Sequence, residues 1–142
     1  MPSPFAWRKQ GRVFDPREVD LPWMKDFAQA PAALLLRDRV RVYFACRPAA
    51  DALGQFVSYM AYADFDSDDL TRRIGIAPAP ILPLGALGTF DEFGINPASV
   101  IARGDEVWMY YAGWTRCESV PFNAAIGLAV SRDEGATFER AG

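Results

Sequence analysis

Apolar and polar residues alternate along this chain in short runs rather than in long stripes. Pro31-Ala32-Ala33-Leu34-Leu35-Leu36, Val42-Tyr43-Phe44-Ala45 and Val57-Ser58-Tyr59-Met60-Ala61-Tyr62-Ala63-Asp64 each stop at a charged or glycine-bearing stretch, which is the pattern of strands joined by turns. Segments long enough for an amphipathic helix are interrupted by proline or glycine, so no helix is predicted. The fold class is all-β.

The runs also repeat. Pro31–Leu36 is echoed by Pro97-Ala98-Ser99-Val100-Ile101-Ala102 at an offset of 66, and Val42–Ala45 by Met109-Tyr110-Tyr111-Ala112 at 67. A turn one residue longer in the second copy, Arg103-Gly104-Asp105-Glu106 against Arg37-Asp38-Arg39, accounts for that slip. Val57–Asp64 matches Ile126-Gly127-Leu128-Ala129-Val130-Ser131-Arg132-Asp133 at 69, a third strand ending at an acidic turn. A fourth strand is expected around Pro80-Ile81-Leu82-Pro83-Leu84-Gly85, with an upstream counterpart in Gly11–Pro16.

The expected organisation is a single partial β-propeller domain over 1–142. It has an outer strand at 7–16, a first four-stranded antiparallel unit at 29–85 and a second at 96–142 that lacks its last strand. About two blades of a five-bladed type are present, because a ring at roughly 67 residues per unit needs on the order of 300 residues. The chain is therefore expected to be a fragment, or to assemble with copies of itself through open blade edges.

Composition narrows the function. The chain is 51% hydrophobic and 13% aromatic, enough to build a core. With 15 basic against 18 acidic residues and no dense basic tract, nucleic acid is excluded as a partner. The N-terminus lacks the apolar core of a signal peptide and no run is long enough to span a membrane, which makes the cytoplasm the expected location. Cys46 and Cys117 have no zinc spacing and read as reduced thiols. No histidine is present, so His-based nucleophilic schemes, proton transfer and zinc ligation are excluded. No metal or other cofactor is implied.

Candidate residues cluster in three places. Asp91 and Glu92, in Thr89-Phe90-Asp91-Glu92-Phe93-Gly94-Ile95-Asn96-Pro97, and Asp26, in the matching stretch Trp23-Met24-Lys25-Asp26-Phe27-Ala28-Gln29-Ala30-Pro31, are the carboxylates available for acid or base work. Gln29, Ala30 and Asn96 stand where the first strand of a blade faces the central channel. Trp23 and Phe90 nearby could cover a sugar's C–H faces, or be packed between blades. After the second strands, Arg47 could hold a carboxylate or phosphate or form a surface ion pair, while Trp114, Arg116 and Asn123 would converge on one loop. These chemistries suit a carbohydrate ligand.

Ser131-Arg132-Asp133-Glu134-Gly135-Ala136-Thr137-Phe138 resembles the Asp-box of sialidase-type propellers, with Phe where that motif has Trp. Its content is a turn: the Asp accepts from backbone amides, Gly supplies a positive φ and the aromatic packs beneath. Together with Asn96-Pro97-Ala98, Met109-Tyr110-Tyr111-Ala112-Gly113 and Gly127-Leu128-Ala129, it makes residues 7–142 similar to the five-bladed propeller glycosidases and phosphorylases. These are the arabinanase and xylosidase type (glycoside hydrolase family 43) and the mannoside phosphorylase type (family 130). The resemblance implies a central glycan pocket and carboxylate-based glycosidic cleavage. It also implies departures: the general-base position of arabinanase-like enzymes is Ala30 here, and the phosphorylase Asp-Pro-Arg opening and the family's acid belong to later blades. A non-catalytic sugar-binding module and a self-assembling chain are the expected alternatives.

Overall fold

The computed structural model describes residues 5–141, all of them β-structure and connections apart from one 3₁₀ turn at Pro16–Glu18. Met1–Pro4 and Gly142, included in the expected domain limits, lie outside the described residues. Asp15 opens the 3₁₀ turn by accepting from the Arg17 amide at 3.1 Å, and Pro16 follows at the first position, where no N–H is needed.

Eight strands form two four-stranded antiparallel sheets, each in plain sequence order. The first holds β1 (Asp26–Leu35), β2 (Arg39–Arg47), β3 (Tyr59–Asp66) and β4 (Arg73–Ile76). The second holds β5 (Gly94–Arg103), β6 (Glu106–Arg116), β7 (Phe122–Ser131) and β8 (Glu139–Arg140). This is the architecture of stacked propeller blades.

Burial separates the two sheets. In β2 the run Tyr43–Cys46 is buried without a break, whereas β6 buries Val107, Met109, Tyr111 and Gly113 and leaves the intervening side chains half-buried or exposed. A continuous run means cover on both faces and an alternating one means cover on one. On one face of β2, Phe14 packs on Phe44 at 5.3 Å between ring centroids. On the other, the second sheet arrives: Tyr43 meets Phe138 edge to face at 5.7 Å and donates from its hydroxyl to the Gly135 carbonyl at 2.9 Å.

The turn that docks there is Ser131–Phe138. Asp133 accepts from the amides of Ala136 and Thr137 and from the Thr137 hydroxyl, Ser131 Oγ accepts from the Gly135 amide at 2.8 Å, and Phe138 is buried. Gly135 has φ 79°, and a Cβ there would collide with the Tyr43 hydroxyl, so the position needs glycine for both reasons. Arg41, buried in β2, pairs with Asp64 through Nε at 2.7 Å and Nη2 at 2.8 Å, reaches the Glu134 carbonyl at 3.2 Å and lies 3.8 Å over the Tyr62 ring. One cation thus ties the first sheet to the turn of the second.

Several expectations are corrected. The fourth strand of the first unit is β4, not Pro80–Gly85: prolines at 78, 80 and 83 cannot donate to a ladder. Ile81 and Leu82 instead become a buried strip between the sheets, where Ile81 donates to the Met60 carbonyl and accepts from the Phe138 amide. No strand forms at 7–16, where only Phe14 and Asp15–Pro16 are drawn inward and Trp7 is 94% exposed. The second unit does have a fourth strand, the two residues of β8, which pair with Ala129 and Val130.

The repeat offsets shift as well. Both first hairpins turn through two residues, 37–38 and 104–105, so turn length does not cause the change from 66 to 67; a bulge does. Pro97 stands before the register break of β5, whereas the break in β1 lies between Gln29 and Ala32 and takes in Pro31. For the third strands the ladders equate Ala63 with Ala129, an offset of 66 rather than 69, since Val42 pairs Ala63 and Met109 pairs Ala129. A three-residue error exchanges the faces of a strand. It equated Asp64, buried in the ladder beside Arg41, with Asp133 in a turn; the turn carboxylate of the first unit is Asp66, which accepts from the amides of Asp68 and Asp69.

Among the described residues no helix is long and apolar enough to cross a membrane. Cys46 is buried, which pushes its thiol up to about 12, and Cys117 is exposed; both are free.

Removing one member of a buried ion pair leaves a poorly compensated charge, here Asp64 with only its 3.4 Å contact to Arg39. Arg41→Met is expected to lower the unfolding free energy by about 3 kcal/mol, and adding Asp64→Leu to restore most of it. Urea titrations of the two variants check both numbers.

Candidate functional site

At the end of the sheets away from the Ser131–Phe138 turn, a cleft of about 210 Å³ opens between the units. Arg47 at the end of β2 forms one wall, and Asn96, Ala112, Gly113, Trp114, Phe122 and Ala124 of the second sheet form the rest. The ladder brings these together, with Asn96 opposite Ala112 in β5–β6 and Ala124 opposite Trp114 in β6–β7. Small residues at 112, 113 and 124 leave the volume. Gly94, opposite Trp114, makes room for the indole, because a Cβ there would run into its Nε1 edge.

Aromatic rings and two guanidinium groups frame the cleft. The Arg47 guanidinium carbon lies 5.1 Å from the Phe27 ring centre and 5.4 Å from that of Phe56, and its Nε donates to Ser58 Oγ at 3.2 Å. Phe93 packs against Trp114 at 6.4 Å, and Arg116 lies 4.0 Å over Phe93 while donating to the Phe56 carbonyl at 2.7 Å. Phe56 therefore touches both arginines. Ser58 is buried and joins the units through a parallel bridge, donating to the Phe93 carbonyl and accepting from the Ile95 amide.

Of the residues singled out from the sequence, Arg47, Asn96 and Trp114 line the cleft, and Arg116 stands at its rim. Asn123 does not join them. It lies opposite Thr115, on the face away from Trp114 and Arg116, and its side chain accepts from the Ala124 amide. Trp23 packs edge to face on Tyr59 at 6.4 Å, and Phe90 stacks on Tyr111 at 5.9 Å, so both serve the interior rather than the cleft. Gln29 and Asp26 are exposed on β1, Gln29 opposite Ala45 and Asp26 opposite Arg47, without an ion pair between these last two. That strand is irregular: Phe27 has φ 67° and Ala30 φ 50°, left-handed values costly for non-glycine residues.

Asp91 is 1% exposed and its oxygens are taken. It accepts from Tyr111 Oη at 2.9 Å, Arg140 Nε at 2.8 Å and Thr89 Oγ1 at 3.0 Å. Burial alone would raise its pKa, but the Arg140, Tyr111 and Thr89 bonds outweigh it and hold the carboxyl below the ordinary aspartate range. The same contact and burial push Tyr111 up to about 12. Glu92 is held low first by the Gly88 amide and then by the Thr115 hydroxyl, with the charge of Arg116 adding to both. Each is a carboxylate kept ionised by neighbours, an arrangement for fastening a loop to β6 and β8.

The cleft residue Phe122, Phe56 beside the two arginines, and the Asp91 partners Arg140 and Tyr111 were not foreseen. Counting the β5–β6 hairpin outward from its turn, with one bulge, places position 94 against 114 and would have exposed the Gly94–Trp114 fit. Nothing local marks Arg140, which is 49 positions from Asp91. Among the described residues, no group of three or more Cys, Asp or Glu is placed to hold a metal ion.

No protein-family model matches the chain. Two curated Mycobacterium tuberculosis proteins, uncharacterized protein MT1551 of strain CDC 1551 / Oshkosh and uncharacterized protein Rv1502 of strain H37Rv, are each 34% identical over 138 residues. The match covers 95% of this chain and 43% of theirs, so the chain spans less than half the length of these relatives. Among solved structures, one from the GH130 family of mannoside phosphorylases, described as containing glycoside hydrolases that target β-1,2 mannosidic linkages in Candida mannan, superposes with TM-score 0.68 at 19% identity. It covers 95% of this chain and 40% of that one. Zg3597, a family 117 glycoside hydrolase of Zobellia galactanivorans, gives 0.66 at 18%, covering 88% and 35%. A glycosyl hydrolase from Bacteroides ovatus gives 0.62 at 19%, covering 83% and 32%. The fold is that of propeller blades, shared with these structures.

Because the folded pKa of Asp91 is depressed, its pairing stabilises the protein at pH values above the unfolded aspartate pKa of about 4 and loses that effect as pH falls through the folded value. Asp91→Asn is expected to be less stable than the parent at pH 7 and to lose less stability on acidification to pH 3. Urea midpoints at the two pH values test this.

Proposed function

We propose that the cleft binds a carbohydrate, with Trp114 covering a sugar's C–H face, Asn96 meeting hydroxyls and Arg47 closing the far wall. The observation that carries this reading is the convergence of Arg47, Asn96 and Trp114, from both units, on one cavity of about 210 Å³. The glycoside-hydrolase fold of the structural neighbours supports the same ligand class. Glycosidic cleavage or phosphorolysis by these residues alone has less support. Cleavage by the two-carboxyl route needs one carboxyl kept protonated, whereas Asp91 and Glu92 are both held low. Asp26 remains as an exposed carboxylate on β1. We place the protein in the cytoplasm, where the exposed, unpaired Cys117 would stay reduced.

Titration of the chain with a panel of neutral and acidic oligosaccharides, followed by calorimetry and by the indole N–H resonance of Trp114, tests the reading. At least one glycan is expected to bind and shift that resonance, and Trp114→Ala is expected to weaken it by about tenfold or more. Silence across the panel overturns the proposal.

A second reading rests on the same face of the second sheet as Ala112 and Trp114, where Ile101, Tyr110 and Ile126 are exposed at 46%, 41% and 65%. Unlike the first sheet, this one is covered on a single face. We propose that the same face of a second copy covers it about a two-fold axis, an isologous contact that closes at two chains. Light scattering should give a dimer mass for the parent chain and a monomer mass for Tyr110→Glu; a parent monomer at high micromolar concentration sinks the idea.

A further inference from the structure

Resting on the carbohydrate reading, the geometry points to an acidic sugar as the ligand: we propose that Arg47 receives the carboxylate of a uronic acid residue whose ring lies against Trp114. Arg47 differs from Arg39 and Arg41, the other cations on the same face of β2, both of which pair with Asp64. Arg41 spends its guanidinium on Asp64, whereas Arg47 makes no ion pair among the described residues, although Asp26 stands opposite it in the ladder. Only its Nε is engaged, with Ser58 Oγ, so both terminal nitrogens are left for a ligand in the cleft that the side chain lines. That end of a guanidinium is a planar fork of donors matched to a carboxylate.

The group is also held in place before any ligand arrives. Phe27 and Phe56 lie near it at 5.1 and 5.4 Å, and Ser58, which fixes Nε, is buried within the bridge between the units. A cation already ordered by its neighbours loses little side-chain freedom on binding. Arg116 donates to the Phe56 carbonyl and adds positive charge, while Glu92, the carboxylate that feels the Arg116 charge, is occupied by the Gly88 amide and the Thr115 hydroxyl. One fork facing one acceptor fits a singly charged carboxylate. A phosphate monoester, with charge near −2 and three acceptor oxygens, asks for more donors than the wall supplies.

The test compares trigalacturonate with a neutral trisaccharide of similar size on the intact chain by calorimetry. Trigalacturonate is expected to bind about tenfold tighter at low salt, with an advantage that shrinks as salt rises. Arg47→Gln should erase the difference by weakening trigalacturonate far more than the neutral sugar; the salt series on the parent protein stands by itself if that variant folds poorly. Equal affinity for the two sugars, or equal weakening of both by Arg47→Gln, overturns the acidic-sugar inference while leaving the carbohydrate reading intact. Binding of neither overturns the acidic-sugar inference and leaves the carbohydrate reading to be decided by the wider panel. Displacement of trigalacturonate by inorganic phosphate at constant ionic strength assigns the fork to phosphate and overturns the inference.

Discussion

The seam between the two sheets is the constraint on which the rest of the molecule depends. Neither sheet can bury its apolar face alone, and β2 makes two of the ties across the seam: Tyr43 against Phe138 and Gly135, and Arg41, paired with Asp64 in its own sheet, against the Glu134 carbonyl. The shape of Ser131–Phe138 follows from its own hydrogen bonds, since Asp133 holds the Ala136 and Thr137 amides on the outside and Ser131 satisfies the buried Gly135 amide. With that turn fixed, the strip around Ile81 and Leu82 has a defined gap to fill. The bridge at Ser58 and Gly94 is then drawn together at the opposite end.

The repeat was legible because hairpins impose local order: β-branched and aromatic runs separated by short turns require strands and antiparallel pairing whatever surrounds them. What could not be read was register. Asp64 and Asp133 look alike as acids near a strand end, and only the ladder shows one buried beside Arg41 and the other in a turn. Pro80–Gly85 likewise has the apolar content of a strand, but its prolines remove the donors a ladder needs, and tertiary burial claims its side chains instead.

The site was legible in part for the same reason. Arg47, Asn96 and Trp114 sit where strand ends meet, and position within a repeat is enough to suggest that. Asp91 misled because its loop looked like a channel mouth; its role is set by Arg140 and Tyr111, residues remote in sequence whose approach depends on the second sheet being assembled. Asn123 failed through parity, since one residue along β7 turns a side chain to the other face.

Arg41 and Arg47 mark the two ends of the seam. They lie on the same face of β2, six positions apart, both directed at the second unit, both beside aromatic rings. At the Arg41 end the turn closes over the strand and Asp64 neutralises the charge, so desolvation is compensated inside the protein. At the Arg47 end Gly94, Ala112, Gly113 and Ala124 withhold volume, the units part, and no carboxylate pairs with the cation. A strand that needs a positive charge only for packing would be expected to neutralise it at both ends. That β2 does so at one end and leaves the other ordered, unpaired and facing a cavity beside a tryptophan is the asymmetry that separates the structural arginine from the one available to a ligand.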